Sequence, residues 1–281
     1  MLSGQLSRSI GLIVPDIADT FFSLVSHAVQ DTARANGYLV WLAASHDDPT
    51  IEAAQVEMMV HHPVDGILLV PTDSRSSYLK GVAAGDTPVI TIDRPIEVAT
   101  TDSVGVENRK GARMAVEHLI QHGYKKIMCV TANAHLLTIK ERIAGYKESM
   151  REAKLPCPRE LRLSNDTSAK LALSKLFVSR DRPDALFTAN NASTIWVIKA
   201  LRNLNIEIGK DIALVGFDDV DFFTLITPPV TAVRQPAAEL GNVSARLLLQ
   251  RINGDLTTSS VQAVLPVTLT IRESCGCKRN N

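Results

Sequence analysis

Short apolar runs rich in β-branched residues recur along the chain, separated by helix-length stretches in which apolar positions return every three or four residues. The runs are IGLIV (10–14), YLVWLAA (38–44), GILLV (66–70), PVITI (88–92), KIMCV (126–130), ALFTA (185–189) and IALVGF (212–217). Near-continuous apolar runs of this length predict strands buried on both faces, as in a parallel sheet covered by helices. Between them, Ala112, Ala115, Val116, Leu119 and Ile120 form one helical stripe, with Asn108 as its expected N-cap and Gly123 as its stop. Ile143, Tyr146 and Met150 form another, with Pro156 just beyond, and Asn36-Gly37 closes the first helix. Alternation repeated this often predicts an α/β fold of doubly wound parallel sheets.

At 281 residues the chain is long for one core, and two lobes account for it better than one. The first four strand-helix units would build one lobe, and the units from about Val106 to Arg234 a second. Open α/β sheets bind ligands outside the carboxyl ends of their strands, so the expected site is a cleft between two such lobes.

Composition narrows the function. Lys plus Arg equals Asp plus Glu at 30 each, whereas a free-standing DNA-binding domain carries a basic excess for its phosphate contacts. Of the four cysteines only Cys275 and Cys277 are close, and one Cys-Gly-Cys without a second pair is a poor zinc signature. A free-thiol tail is the expected reading, and sparse cysteines suit a reducing cytoplasm. The N-terminus MLSGQLSRS holds no signal-peptide core, and no apolar run reaches membrane-spanning length, so a soluble chain that is not exported is expected. Neither a Gly-x-Ser-x-Gly elbow nor a phosphate loop is present. His118 and His122 are spaced i, i+4, but Glu117 precedes His118 and both lie off the apolar stripe, which reads as a solvated helix face. No enzymatic activity, metal or cofactor is therefore expected.

The wording of the segments resembles the LacI/GalR family of transcription regulators over about 260 residues. The motifs, in order, are RSIGLIVPD (8–16), VGVENRKGARMAVEHLIQHGYKKI (104–127), ERIAGY (141–146), ANNAS (189–193), VGFDD (215–219), TPPVTAVRQP (227–236) and LTIRESCG (269–276). The resemblance implies a periplasmic-binding-protein-like type I fold with two lobes, a homodimer, and a small-molecule effector in the cleft. It implies that the helix near Pro236 returns to the first lobe while VTLTI (267–271) finishes in the second. The expected lobes are thus 8–105 with 236–262 and 106–235 with 263–277, leaving 1–7 as a hinge remnant or cloning start and 278–281 as a tail. Family members bind operator DNA through an N-terminal helix-turn-helix. None fits ahead of Arg8, which reads as truncation. The rival expectation is an exported solute-binding protein of the same fold that delivers a sugar to a transporter.

A sugar-like effector needs carboxylate and guanidinium partners with flat apolar surface for its ring. Such residues stand just after the expected strands: Asp19, Phe21 and Phe22 after the first, Asp93 and Arg94 after PVITI, Asn190 after ALFTA, Asp218 after IALVGF. Gln235 lies in the last connection and Arg142 near a helix start. By resemblance these nine match the family's ligand-contacting positions. Each has a plainer reading: one phenylalanine as core, Asp93 in a turn before Pro95, Arg94 as a surface cation, Arg142 paired with Glu141 or Glu148. Asp219 is expected only to cap or turn. The chain departs from the family at Asn191, where an acid is usual, at Trp196, where glycine is common, at Asp166, near which an aromatic ring is often found, and at Thr131-Ala132-Asn133, where a Gly-Pro pair is usual.

Overall fold

The computed structural model describes residues 6–62, 64–97, 101–158, 160–256 and 259–277. The first five residues of the expected hinge remnant and the tail at 278–281 lie outside the described residues. The chain forms two compact units, Met1–Val106 with Pro236–Leu265, and Glu107–Gln235 with Pro266–Asn281.

The first unit opens with β1 (Ser9–Val14), α1 (Thr20–Ala35), β2 (Leu39–Ala44), α2 (Pro49–His61), β3 (Ile67–Leu69), α3 (Tyr78–Ala83), β4 (Val89–Ile92) and β5 (Asp102–Val106). The second holds α4 (Asn108–Gln121), β6 (Ile127–Thr131), α5 (Leu137–Glu152), β7 (Leu161–Arg162), α6 (Asp166–Phe177), β8 (Ala185–Thr188), α7 (Asn191–Asn203), β9 (Ala213–Phe217), α8 (Phe222–Leu225) and β10 (Thr231–Arg234). The chain then returns to the first unit as α9 (Ala237–Ile252) and β11 (Gln262–Leu265), and ends in the second with β12 (Thr268–Thr270).

Each unit contains a six-stranded sheet, ordered β11-β5-β4-β3-β1-β2 in the first and β12-β10-β9-β8-β6-β7 in the second. Every pairing is parallel except β10 with β12. The order reverses at β1 in one sheet and at β6 in the other, so each unit has its own switch point, where open α/β sheets place ligands.

Local chemistry sets the helix starts. Asp19 and Asp48 cap α1 and α2 by accepting backbone amides, and Asn165 and Asn190 form reciprocal capping boxes with Ser168 and Ser193 on α6 and α7. The α1 stripe of Phe22, Val25 and Val29 is buried, as are Leu240 and Leu248 of α9, and the Thr32 hydroxyl donates to Asn242 across this pair at 2.9 Å. Each fully buried aliphatic side chain contributes about 1.5–3 kcal/mol. In the second unit, Gly145 of α5 meets α4 so closely that a Cβ there would lie 2.2 Å from the Arg109 carbonyl oxygen. Among the described residues no helix is long and apolar enough to cross a membrane.

Several expectations need correction. The β2 run is apolar throughout but not buried on both faces: Leu39, Trp41 and Leu42 are 74%, 63% and 39% exposed, because β2 is the outermost strand of its sheet. Asn108 does not cap α4. Glu107 holds that position without a side-chain capping bond, and Asn108 sits buried in the first turn. Ile120 is only half-buried. The second boundary between units falls after Leu265 rather than after residue 262, because Gln262–Leu265 pairs with β5.

Candidate functional site

In the second unit the residues just past β8, β9 and β10 converge on Arg142, which α5 carries inward from the β6 side. Its Nε donates to Asn108 Oδ1 at 2.8 Å, and Nη1 donates to the Ala189 carbonyl at 2.9 Å and to both Asp218 carboxylate oxygens at 3.2 Å. The guanidinium lies over the Phe217 ring at 3.7 Å. This is a buried charge with hydrogen bonds and a cation–π face, the arrangement that makes burial tolerable. Arg142 does not pair with Glu141 or Glu148, which instead bind Arg109. Asp218 also accepts from the Gln235 amide nitrogen and from the Asn191 backbone amide at 3.3 Å.

Asp218 has φ 72°, the left-handed region that short polar side chains visit more readily than most. Gln235 is buried, and its Oε1 has no hydrogen-bond partner among the described residues. Asn190 is chiefly occupied as the α7 cap: its Oδ1 accepts from the Ser193 amide at 3.0 Å.

The first unit gathers the remaining candidates at the carboxyl ends of β1 and β4. Asp93 stands directly after β4 at φ 63°, the counterpart of Asp218 after β9. Arg94 is buried, donates to Asp47 at 2.6 Å and to the Pro71 carbonyl at 3.3 Å, and lies 3.8 Å from the Asp93 carboxylate. It is therefore not a surface cation. Its guanidinium approaches the buried Phe22 ring at 5.9 Å, while Phe21 packs edge-on to Phe22 and is half-buried. Asp19 accepts the Phe21 amide at 2.8 Å as the α1 cap.

The structure thus brings together Arg142, Asp218 and Gln235 in one unit and Phe22, Asp93 and Arg94 in the other. Asp19 and Asn190 act as caps beside these groups. Sequence reasoning missed Asp47, an acid in the connection that follows β2, and it gave Asn108 the wrong role. Position after a strand was the available signal for Asp47. For Asn108 there was none, since its partner lies 34 positions away.

Two further expectations fail. Asp219 is no simple turn residue: it accepts from Arg272 at 2.7 and 2.9 Å and from Arg234 at 2.7 and 3.0 Å, tying the end of β9 to the neighbouring β10 and to the residues after β12. His118 is not on a solvated face. It is buried against Cys277; both cysteines are free thiols as expected, but Cys275 is buried and Cys277 half-buried. Burial disfavours ionisation of both thiols, yet hydrogen bonding from His118 and Cys277 draws Cys275 below the ordinary range, and Cys277 is pushed up. A separate groove of about 650 Å³, lined by Asp166, Lys170, Lys199 and Phe222 among others, contains none of the candidate residues.

Comparison with known proteins gives a consistent picture. Residues 116–275 match the periplasmic binding protein-like domain. The chain is 30% identical over 249 residues to a protein described as the HTH-type transcriptional regulator EndR of Paenibacillus polymyxa, covering 87% of this chain and 73% of that one. A solved structure described as a ribose operon repressor from Burkholderia thailandensis superposes with a TM-score of 0.85 at 31% identity, over 94% of this chain and 99% of that one. The transcriptional regulator CelR, solved in complex with cellobiose, gives 0.86 at 25% identity, over 96% and 85%.

Proposed function

The chain belongs to the LacI/GalR family of transcription regulators, as an effector-binding periplasmic-binding-protein-like core, and from that premise we propose that it holds a sugar at the strand ends of its second unit. The relatives are regulators, not enzymes, and so is this protein. The observation that carries the sugar reading is the buried Arg142–Asp218–Gln235 group at the strand ends of the second unit. In this reading a sugar hydroxyl displaces one of the longer donors to the Asp218 carboxylate, at 3.2–3.3 Å, and the Gln235 Oε1 accepts a second hydroxyl. In the first unit, Asp93 and Arg94 form a comparable charged pair at a strand end, with the Arg94 guanidinium near the Phe22 ring. The cellobiose bound to CelR supports the choice of ligand class.

The working unit in this reading is a homodimer. The outer strand β2 exposes Leu39 and Trp41, and α2 of the same unit exposes Met58 and Val60, apolar area that a second copy would cover. Effector binding alters operator affinity through a helix-turn-helix head, the element named in the description of EndR. Such coupling requires only that the effector favour one dimer state over the other. The protein works where its operator is, in the cytoplasm.

A thermal-shift panel of pentoses, hexoses and disaccharides, with sedimentation velocity on the same sample, tests both parts. At least one sugar should raise the melting temperature, and the chain should sediment as a dimer at micromolar concentration. A monomer would remove the dimer reading. No shift from any sugar would turn the ligand class toward other polar metabolites.

A further inference from the structure

The Cys-Gly-Cys segment after β12 and the histidine of α4 lie apart from the group around Arg142, and the regulator reading makes no use of them. His118 stands in the last turn of α4 and is 7% exposed. The chain beyond β12 turns back against it, burying Cys275 completely and Cys277 in part. The two sulfurs are 2.7 Å apart, and Cys277 Sγ is 3.3 Å from His118 Nε2. One ligand atom from each of the three residues lies within 4.8 Å of the others. The turn is held in place: the Tyr124 hydroxyl donates to the Cys275 carbonyl at 3.0 Å. Gly276, at φ 72°, has no room for a side chain, since a Cβ would lie 2.5 Å from the Tyr124 oxygen. That glycine lets successive odd positions turn both thiols toward one imidazole.

We propose that His118, Cys275 and Cys277 bind a single Zn²⁺ ion through two thiolates and one neutral imidazole, with one coordination position open. Zinc favours this donor set, with Zn–S near about 2.3 Å and Zn–N about 2.0–2.1 Å in tetrahedral geometry. Those lengths place a sulfur and a nitrogen about 3.5 Å apart and two sulfurs about 3.7 Å apart. The observed sulfur–nitrogen separation of 3.3 Å already suits the ion. The sulfurs must part by about 1 Å, within reach of a χ1 adjustment at the half-buried Cys277. Thiolates select thiophilic ions over magnesium or calcium, and binding releases the thiol protons. The ion would fasten the end of α4 to a segment 159 positions further along the chain at Cys277, closing the second unit as a cross-link does.

The test is titration of the reduced full chain with Co²⁺, a spectroscopic stand-in for zinc. The expected result is sulfur-to-cobalt charge-transfer absorption and the strong visible bands of a tetrahedral ion, saturating at one equivalent and erased by Zn²⁺. Cys277→Ser, which alters the more exposed thiol and leaves the buried packing alone, should weaken binding at least tenfold, as should His118→Gln. Cys157→Ser, which alters an exposed and distant thiol, should change nothing. Zinc should also raise the melting temperature of the parent chain but not that of Cys277→Ser. The proposal is overturned if the reduced chain shows no charge-transfer band, if the band survives in Cys277→Ser, or if it disappears in Cys157→Ser. It is also overturned if the only chemistry found is a Cys275–Cys277 disulfide with no ion bound after reduction.

Discussion

Removing the guanidinium of Arg142 should destabilise the second unit far more than loss of an ordinary helix residue. Arg142→Met keeps a good helix former of similar reach, so the loss is polar. It comprises the bonds to Asn108 and Ala189, the pair with Asp218, and the face laid over Phe217. The paired side chains are 4% and 11% exposed, so the stranded Asp218 carboxylate gains little from water. Breaking a buried pair by removing one partner costs about 3–5 kcal/mol. Asp218→Asn is milder: asparagine tolerates the φ of 72°, its carbonyl still accepts from Arg142, and the loss is about 1.5–3 kcal/mol. The double variant strands neither charge. Its destabilisation should fall short of the summed single effects by about 1–3 kcal/mol. Urea unfolding followed by circular dichroism at fixed protein concentration measures all four corners of the cycle. Additivity within about 0.5 kcal/mol would show that the two groups do not act as a pair, and the reasoning would fail.

Other consequences are accessible to simpler assays. Burial raises the Glu52 carboxyl above its ordinary 4.5 despite bonds from Thr72 and Tyr78. The folded state therefore holds that proton more tightly than the unfolded chain. Glu52's contribution is complete below 4.5 and is lost as pH rises through the raised folded value, so Glu52→Gln should flatten the fall in melting temperature over that interval. An unchanged pH profile in that variant would count against it. Gly145→Ala would drive a Cβ into the Arg109 carbonyl, and overpacking of this kind costs about 1–3 kcal/mol. A thermal melt equal to that of the parent would mean that α4 and α5 can part without penalty. Gln235→Ala removes a buried donor to Asp218, so it should cost about 1.5–3 kcal/mol of stability and also weaken sugar binding about tenfold, the equivalent of one hydrogen bond at roughly 1.4 kcal/mol. Equal affinity by calorimetry would take Gln235 out of the site.

Much of this molecule was legible before its structure, and the parts that were not share a cause. Strands in the sheet interiors stood out because burial on both faces demands unbroken apolar runs, as in Ile10–Val14 and Ala213–Phe217. Strands whose neighbours do the work were silent: β5 opens with Asp102, and its carboxylate is held by Arg251 from α9, 149 positions away. β11 alternates half-buried and exposed positions at a sheet edge, so it carries no strong signal of its own. Among candidate site residues, an acid placed just after a strand was a usable signal, and Asp93 and Asp218 both take the left-handed turn there. The polarity of His118 suggested solvent because its partner, Cys277, arrives 159 residues later. Partners brought by long-range return of the chain leave no mark on local periodicity.

The central claim, that Asp218 and the residues around it receive a sugar, is tested most directly by titration calorimetry. The chain would be titrated with the sugar that most raises its melting temperature, beside the Asp218→Asn variant. One site per chain is predicted, with affinity reduced about 10- to 150-fold in the variant, the equivalent of roughly 1.5–3 kcal/mol. A sugar that binds both proteins equally well, with the variant's fold intact, would contradict the claim.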